Sequence, residues 1–261
     1  MSTSTSAATF PALVSTVLRS DASRPLVTFY DDATGERVEL SVATYANWVD
    51  KTAGLVLEEL EVTRGGLVLL DLPTHWLGAV WLGAAWTVGL CVTTDPELAG
   101  NADLVVCGPD GVDAYAAEAE GSAGPLADRA VVAISLRPLG GRFVQTLPSG
   151  VVDYGAVVLA QPDTFVGYDP PCGDDAAWRA GGRSLSQTDL LASVAQRPVV
   201  GRKGRLLTDV NPCGPLGPAT LLSALARDAA TIWVANPDES SWQHRYDVER
   251  ATAELRAPRS A

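Results

Sequence analysis

Lysine occurs at two positions only, Lys51 and Lys203, and histidine at two, His75 and His244, in a chain of 261 residues. Arginine therefore carries nearly all the positive charge, and it is outnumbered: Lys and Arg total 19 against 31 Asp and Glu, a formal net charge of −12. A surface of that sign repels phosphate backbones, so nucleic acid is not an expected partner. The four cysteines (Cys91, Cys107, Cys172 and Cys213) share no Cys-x-x-Cys spacing, and with so few histidines they outline neither a metal site nor a disulfide framework. Cys91 and Cys107 lie inside apolar runs, where a thiol behaves as a small buried hydrophobe. The opening MSTSTSAATF lacks the basic region and apolar core of a secretory signal, and a cytoplasmic chain is expected. No Gly-x-Ser-x-Gly elbow surrounds Ser184, Ser186 or Ser193, which argues against a hydrolase. No internal repeat of fixed period is visible.

Charge is missing altogether between Asp71 and Asp95. A gap of that length can be a membrane span. Pro73 and His75 at its start, three interrupting glycines and acidic rather than basic flanks argue against one. It reads instead as strand, helix, strand. Residues 67–72 are an apolar run closed by Pro73, Thr74 is the expected helix N-cap, and Leu77, Val80, Trp81, Ala84, Ala85 and Val88 recur at helical spacing. Gly89 ends the helix, and 90–94 is a second apolar strand. A second face (His75, Ala79, Leu82, Trp86) is also mostly apolar, so the helix is expected to be buried on more than one side. The spacing predicts a right-handed βαβ unit with parallel strands. Trp76, Trp81 and Trp86 lie five residues apart, about 140° round a helix, and cannot share a face. Those not used in the core are expected to form an aromatic docking patch.

The remaining composition, 47% hydrophobic and 19% charged, is that of a globular chain with a substantial core. A first amphipathic helix is predicted over 9–20, broken at Arg24 and Pro25. Strands at 26–30 and 37–40 flank the turn DDATGE as a hairpin, and Ser41 caps a helix whose buried stripe is Tyr45, Trp48, Val49, Thr52, Val56 and Leu60. Buried strands follow at 103–107 and 130–136, with a helix at 111–120 between them, a short strand at 143–145 and a short helix at 154–160. Residues 161–184, rich in Pro, Gly and Asp, read as a loop. Then come a helix at 186–196, a strand at 205–210, a helix at 219–227, a strand at 230–235, a last helix at 249–256 and a frayed tail at 257–261. This alternation predicts an α/β fold of mostly parallel sheets flanked by helices, divided as a first α/β subdomain over 1–160, the loop-rich 161–184, and an incomplete second α/β subdomain over 185–261.

The order of these pieces resembles the N-terminal part of the adenylate-forming (AMP-binding) superfamily of acyl-CoA synthetases, luciferases and peptide-synthetase adenylation domains. RVELSVATYANWVDKTAGLVLEEL followed by VTRGGLVLL resembles that family's first hairpin and helix. DLPTHWLGAVWLGAAWTVGLCVTTDPE resembles its next βαβ unit, and RLLTDVNPCGPLGPATLLSALARDAATIWV the later strand, loop, helix and strand that help form the acyl pocket. The Ala, Val, Arg and Asp-rich, lysine-poor composition is similar to that of a narrower actinobacterial group of short relatives stripped of catalytic parts.

The resemblance implies a fold without the C-terminal lobe and a chemistry that is largely lost. The family cradles ATP phosphates in a Ser/Thr/Gly-rich loop ending in Pro-Lys-Gly, where charge builds up in the transition state. Here GDDAAWRAGGRSLSQ stands in that place, so Gly181, Gly182, Arg183 and Ser184 are the remnant phosphate loop, with no lysine and with Asp174 and Asp175 beside it. The family's aromatic-Gly-x-Thr-Glu segment, Thr-Gly-Asp contact and catalytic lysine have no counterpart in this sequence, and Lys203 in GRKGR reads as a solvated turn. Asp209 and Asn211 fall where the family reads its acyl or amino-acid substrate, although both suit a turn before Pro212 equally well. His75, near neutral pKa and without a sequence partner, reads as a helix-start residue with a satisfied hydrogen bond rather than a base. No catalytic residue, no metal and no retained ATP or Mg²⁺ cofactor are expected. The expected role is that of an inactive ligase homologue with a regulatory or scaffolding function, through a protein partner or self-association. The alternatives are an acyl- or nucleotide-binding protein, or half of a ligase completed in trans.

Overall fold

The computed structural model describes residues 8–120 and 129–258. Helix α1 (Phe10–Asp21) leads into an antiparallel hairpin of β1 (Pro25–Asp31) and β2 (Glu36–Ser41). DDATGE turns because the Asp31 carboxylate accepts the Ala33 N–H at 3.0 Å and the Thr34 hydroxyl at 2.9 Å. Ser41 caps α2 (Val42–Gly54), accepting the Thr44 N–H, and the helix runs on as a π-helical turn, Leu55–Glu59. The central unit follows: β3 (Leu67–Asp71), α3 (Trp76–Val88) and β4 (Cys91–Thr93), with β3 and β4 parallel as expected and Gly89 left-handed at the helix end. Next come β5 (Leu104–Cys107), α4 (Val112–Glu120), β6 (Ala130–Ala133), β7 (Val151–Asp153), α5 (Tyr154–Val157), β8 (Ala176–Ala180) and β9 (Arg183–Ser186). The described chain closes with α6 (Gln187–Gln196), β10 (Arg205–Thr208), α7 (Gly217–Ala226), β11 (Ala230–Ala235), α8 (Glu239–Val248) and β12 (Ala253–Leu255).

These strands form two sheets, and the fold is the expected α/β with mostly parallel strands. One sheet has the order β12-β10-β11-β1-β2, parallel except for the β1–β2 hairpin. The other has the order β7-β6-β5-β3-β4-β8-β9, parallel except for β8–β9. Helix α3 lies between the sheets, packed on β1 from one, on β3 and β4 from the other, and on α1 and α2. Every α3 residue except Thr87 is buried, which accounts for its lack of a polar face. Among the described residues, no helix is long and apolar enough to cross a membrane.

Several sequence expectations need correction. Trp76, Trp81 and Trp86 form no surface patch: with two sheets and two helices around α3, all of its faces are core, and Trp86 donates its indole N–H to the Ala177 carbonyl at 2.8 Å. The N-cap of α3 is His75, not Thr74. Residues 161–184 are not all loop, since β8 and the start of β9 form an edge hairpin there. Residues 143–145 are loop, and the strand is β7 further on. The predicted helix at 249–256 is replaced by α8 before it and β12 within it. The tail reading, from residue 259 onward, lies outside the described residues.

Candidate functional site

Parallel strands deliver their carboxyl ends to one edge, and in open α/β sheets that edge is where ligands bind. Here the ends of β1, β3, β6 and β11 surround a cavity of about 270 Å³. Phe29 and Asp31 come from β1, Pro73, Thr74 and His75 from the β3–α3 connection, Leu136 from beyond β6, and Ala235 and Asn236 from β11 and the residue after it. Two other cavities, beside Trp86 and beside Arg64, hold about 10 and 30 Å³ and suit at most ordered water.

His75 is the most constrained polar group on this cavity. Its Nδ1 accepts the Leu77 N–H at 3.3 Å, capping α3. The neutral ring therefore carries its proton on Nε2. Among the described residues that N–H has no hydrogen-bond partner, although the residue is only 3% exposed. The ring meets Phe29 edge-on, centroids 4.9 Å apart, and lies beside Trp76 at 5.6 Å. Burial lowers its pKa to about 4, against a smaller opposing pull from Asp31. Asp31 stays ionised: burial pushes its carboxyl up, but hydrogen bonds from Asn236, Ala33 and Thr34 outweigh that and leave it below its ordinary value. The Asn236 amide donates to Asp31 Oδ1 at 2.8 Å. Asn236 (φ 48°) and Leu136 (φ 55°) both hold left-handed backbone, which is strained for leucine.

A titration follows from this geometry. His75 is expected to stay neutral from pH 8 to about 5, read as an imidazole ¹⁵N shift that does not move while His244 serves as the second signal. The folded pKa lies below the unfolded value of about 6.5, so the unfolded chain binds the extra proton first. Stability from this group is complete above about pH 6.5 and declines as pH falls toward 4. His75→Asn, which keeps a capping oxygen, should flatten that part of the melting profile; an unchanged slope would assign the acid sensitivity elsewhere.

The residues singled out from the sequence fall in other places. Gly181 and Gly182 are the two central residues of the β8–β9 turn, at φ 53° and 73°, closed by the pairing of Ala180 with Arg183. Arg183 and Ser184 continue into β9 on the far edge of the larger sheet, exposed. A turn this short presents few free N–H groups and does not wrap a triphosphate. Asp175 is held by Arg64 at 2.8 Å, and Asp174 stands exposed beside it. The residues present therefore do not fit ATP and Mg²⁺ at this position. Lys203 lies exposed in a turn at φ 53°. Asp209 accepts Arg256 Nε at 2.8 Å and the Ala257 N–H at 2.6 Å, so both its oxygens are engaged within the chain. Asn211 accepts the Cys213 N–H at 2.8 Å and donates to the Leu72 carbonyl at 2.7 Å. It thus pins the residue preceding Pro73 in the cavity wall. Among the described residues no group of three His, Cys, Asp or Glu side chains gathers to hold a metal.

The structures most informative for comparison are ligases. A fatty acyl CoA synthetase from Mycobacterium tuberculosis superposes with a TM-score of 0.71 at 14% identity, over 94% of this chain and 48% of its own. An acyl-CoA synthetase from Brucella canis gives 0.70 at 17% identity, over 94% and 47%. A coronafacic acid ligase from Pectobacterium brasiliense gives 0.73 at 10% identity, over 96% and 50%. The chain spans about half the length of these structures, and the likeness establishes the fold of an adenylate-forming enzyme's N-terminal part. No family model matches the chain. A relative described as a TIGR03089 family protein, from Mycobacterium tuberculosis (strain ATCC 25618 / H37Rv), is 36% identical over 248 residues, 94% of this chain and 96% of the relative. Kinship of that extent, carried on this fold, means that the chain belongs to the TIGR03089 family.

Proposed function

We propose that this chain keeps the scaffold of an AMP-forming ligase's N-terminal part without forming adenylates itself, and that it acts in the cytoplasm as a regulatory or scaffolding protein. The observation that carries the reading is the β8–β9 turn. Where the resemblance places a phosphate cradle, the backbone closes over two glycines, Ala180 pairs directly with Arg183, and no lysine is near in sequence. Phosphoryl charge in the transition state would there meet few donors and the exposed Asp174. A scaffolding role is supported by the segment 159–168, which turns Leu159, Val166 and Tyr168 outward at 65%, 86% and 74% exposure. Apolar side chains clustered at a surface are a mark of interfaces.

The test is direct. Purified protein with Mg²⁺-ATP and a panel of fatty, aryl and amino acids is expected to release no pyrophosphate above the no-enzyme rate. Calorimetry with millimolar Mg²⁺-ATP should give no saturable heat, the same for the wild type as for a Gly181→Asp, Gly182→Asp variant. Pyrophosphate release, alone or on adding a ligase C-terminal lobe in trans, would overturn the proposal. So would ATP binding that the double variant abolishes.

A further inference from the structure

We propose that the outward face of the segment 159–168 docks a cationic amphipathic segment of another protein, one that carries apolar anchors among lysines and arginines. This names a partner for the scaffolding reading and rests on it. The face is held in place from behind. Phe165 turns inward and packs against the core, and its backbone N–H donates to Asp50 of α2. Lys51 donates to the Gln161 carbonyl and pairs with Asp163 at 2.9 Å, while the Gln161 amide donates to Glu59. Further on, Arg64 pairs with Asp169 at 2.9 Å. The segment is thus a strap pinned along its length to α2, to the π-helical turn and to Arg64. On its outer side Val166 and Tyr168 stand exposed. Side chains already held outward lose little freedom on binding, and tyrosine is among the residues enriched at interfaces.

Charge selects the partner. Tyr168 and Asp169 share the walls of the small cavity beside Arg64 with Leu57, and the exposed Glu58, Glu59 and Glu61 follow Leu57 in the chain. Asp163 and Asp169 keep more than half of each side chain in water in spite of their ion pairs. The cations beside them, Lys51 and Arg64, are largely covered and already engaged. The rim of the apolar face is therefore negative. The net charge of −12 has the same sign, so long-range attraction and contact charges favour one kind of partner. Both disfavour an anionic membrane or an acidic protein, and a second copy of this chain would bring the same net charge to the contact. A hydrophilic cation would leave Val166 and Tyr168 in water, and a purely apolar segment would leave the acidic rim unmatched. Apolar side chains with Lys or Arg around them suit both, which is the arrangement of a basic amphipathic helix.

The probe is a fluorescein-labelled peptide of two heptads with leucine at the apolar positions and lysine at the polar ones. Two counterparts keep its length, one with glutamate for lysine and one with serine for leucine. Anisotropy with the full chain titrated in is expected to show saturable binding of the Leu/Lys peptide, at least about tenfold weaker binding of the Ser/Lys peptide and none of the Leu/Glu peptide. The pair Val166→Ser, Tyr168→Ser changes two exposed side chains, and should weaken the Leu/Lys peptide at least about tenfold with the melting temperature unchanged. Glu58→Lys with Glu61→Lys should weaken it about as much. Asp110→Lys with Asp113→Lys, an equal change of charge around the start of α4, should leave it within about twofold. Failure of the Leu/Lys peptide to bind overturns the proposal. So does equal weakening by both charge-reversed pairs, which would mark unspecific capture of a polycation. Sedimentation that shows the chain alone self-associating through Val166 and Tyr168 would make a second copy the occupant and overturn it too. No peptide binding together with no pyrophosphate release removes the partner and spares the inactive-ligase reading, whereas pyrophosphate release overturns that reading and the scaffolding partner built on it.

Discussion

Replacing Gly83 with alanine is expected to lower the melting temperature by roughly 5–10 °C, from about 2–3 kcal/mol of lost stability. The sign is the informative part. Within a helix, alanine in place of glycine normally stabilises by about 1 kcal/mol. At this position the added methyl would stand 2.5 Å from the Tyr45 hydroxyl, 2.7 Å from Val49 Cγ2 and 3.0 Å from the Phe10 ring. None of the three can retreat freely. Tyr45 is fully buried and donates to the Ala79 carbonyl at 2.9 Å, which ties α2 to α3. The Phe10 N–H donates to the Gln187 side chain at 2.8 Å, and Gln187 in turn donates to the Trp86 carbonyl at 2.8 Å, which ties α1, α6 and α3 together. Gly83 thus sets the distance at which three helices meet between the sheets. In a Tyr45→Phe background the closest obstacle is gone, and the penalty of Gly83→Ala should shrink by about 1 kcal/mol, a coupling measurable in a double-mutant cycle. A melting temperature equal to or above that of the parent would mean that α2 and α3 are not in contact at this point.

What was legible in the sequence and what was not divide along physical lines. The β3–α3–β4 unit could be read because its apolar runs are long and its stops, Pro73 and Gly89, are unambiguous. The β1–β2 hairpin could be read because Asp31 writes its own turn. The hairpin β8–β9 was hidden because it is an edge pair whose second strand, RSLS, is almost wholly exposed and carries no buried alternation. Helix α8 was hidden for a similar reason: of ESSWQHRYDV only Trp242 is buried, so there is no apolar stripe to count. The tryptophans of α3 teach a subtler point. Their spacing does exclude a single face, but an exposed face follows only if the helix has one, and the layer on each side of it is set by strands of two different sheets, β1 on one side and β3 and β4 on the other. The cavity failed to appear for the same long-range reason. His75 was visible as an isolated histidine, while Asp31 read only as a turn residue. Their meeting depends on β1 lying beside β11 and on α3 starting under both, which no local pattern records.

Glu249→Gln is expected to cost about 2–3 kcal/mol at pH 7, read as a fall of several degrees in melting temperature. This carboxylate, 8% exposed, follows α8 and binds the smaller sheet at three points. It accepts from the Tyr30 hydroxyl on β1 and from the Arg205 guanidinium on β10, and it pairs with Arg37 of β2 at 3.4 Å. Arg37 also donates to the Tyr30 oxygen at 2.9 Å, and the Arg245 guanidinium covers the Tyr30 ring at 4.5 Å. An amide in place of the acid keeps the shape but leaves two guanidinium groups facing a neutral partner. Breaking one side of a fully buried pair costs about 3–5 kcal/mol. Arg37 is 44% exposed and Arg205 25%, so water recovers part of that, hence the smaller figure. The pH dependence separates this group from His75. Burial pushes the Glu249 carboxyl up, but the Tyr30, Arg205 and Arg37 contacts outweigh it and leave the pKa below its ordinary value. Its contribution is therefore complete above the unfolded value of about 4.3 and is lost as pH falls through the folded one. Glu249→Gln should flatten the stability profile below about pH 4, whereas His75→Asn should flatten it between about 4 and 6.5. If the Glu249 variant melts within a degree of the parent at pH 7, the network is a surface arrangement without energetic weight, and α8 is held to the sheet by Trp242 with its apolar neighbours and by the Arg245–Asp32 pair.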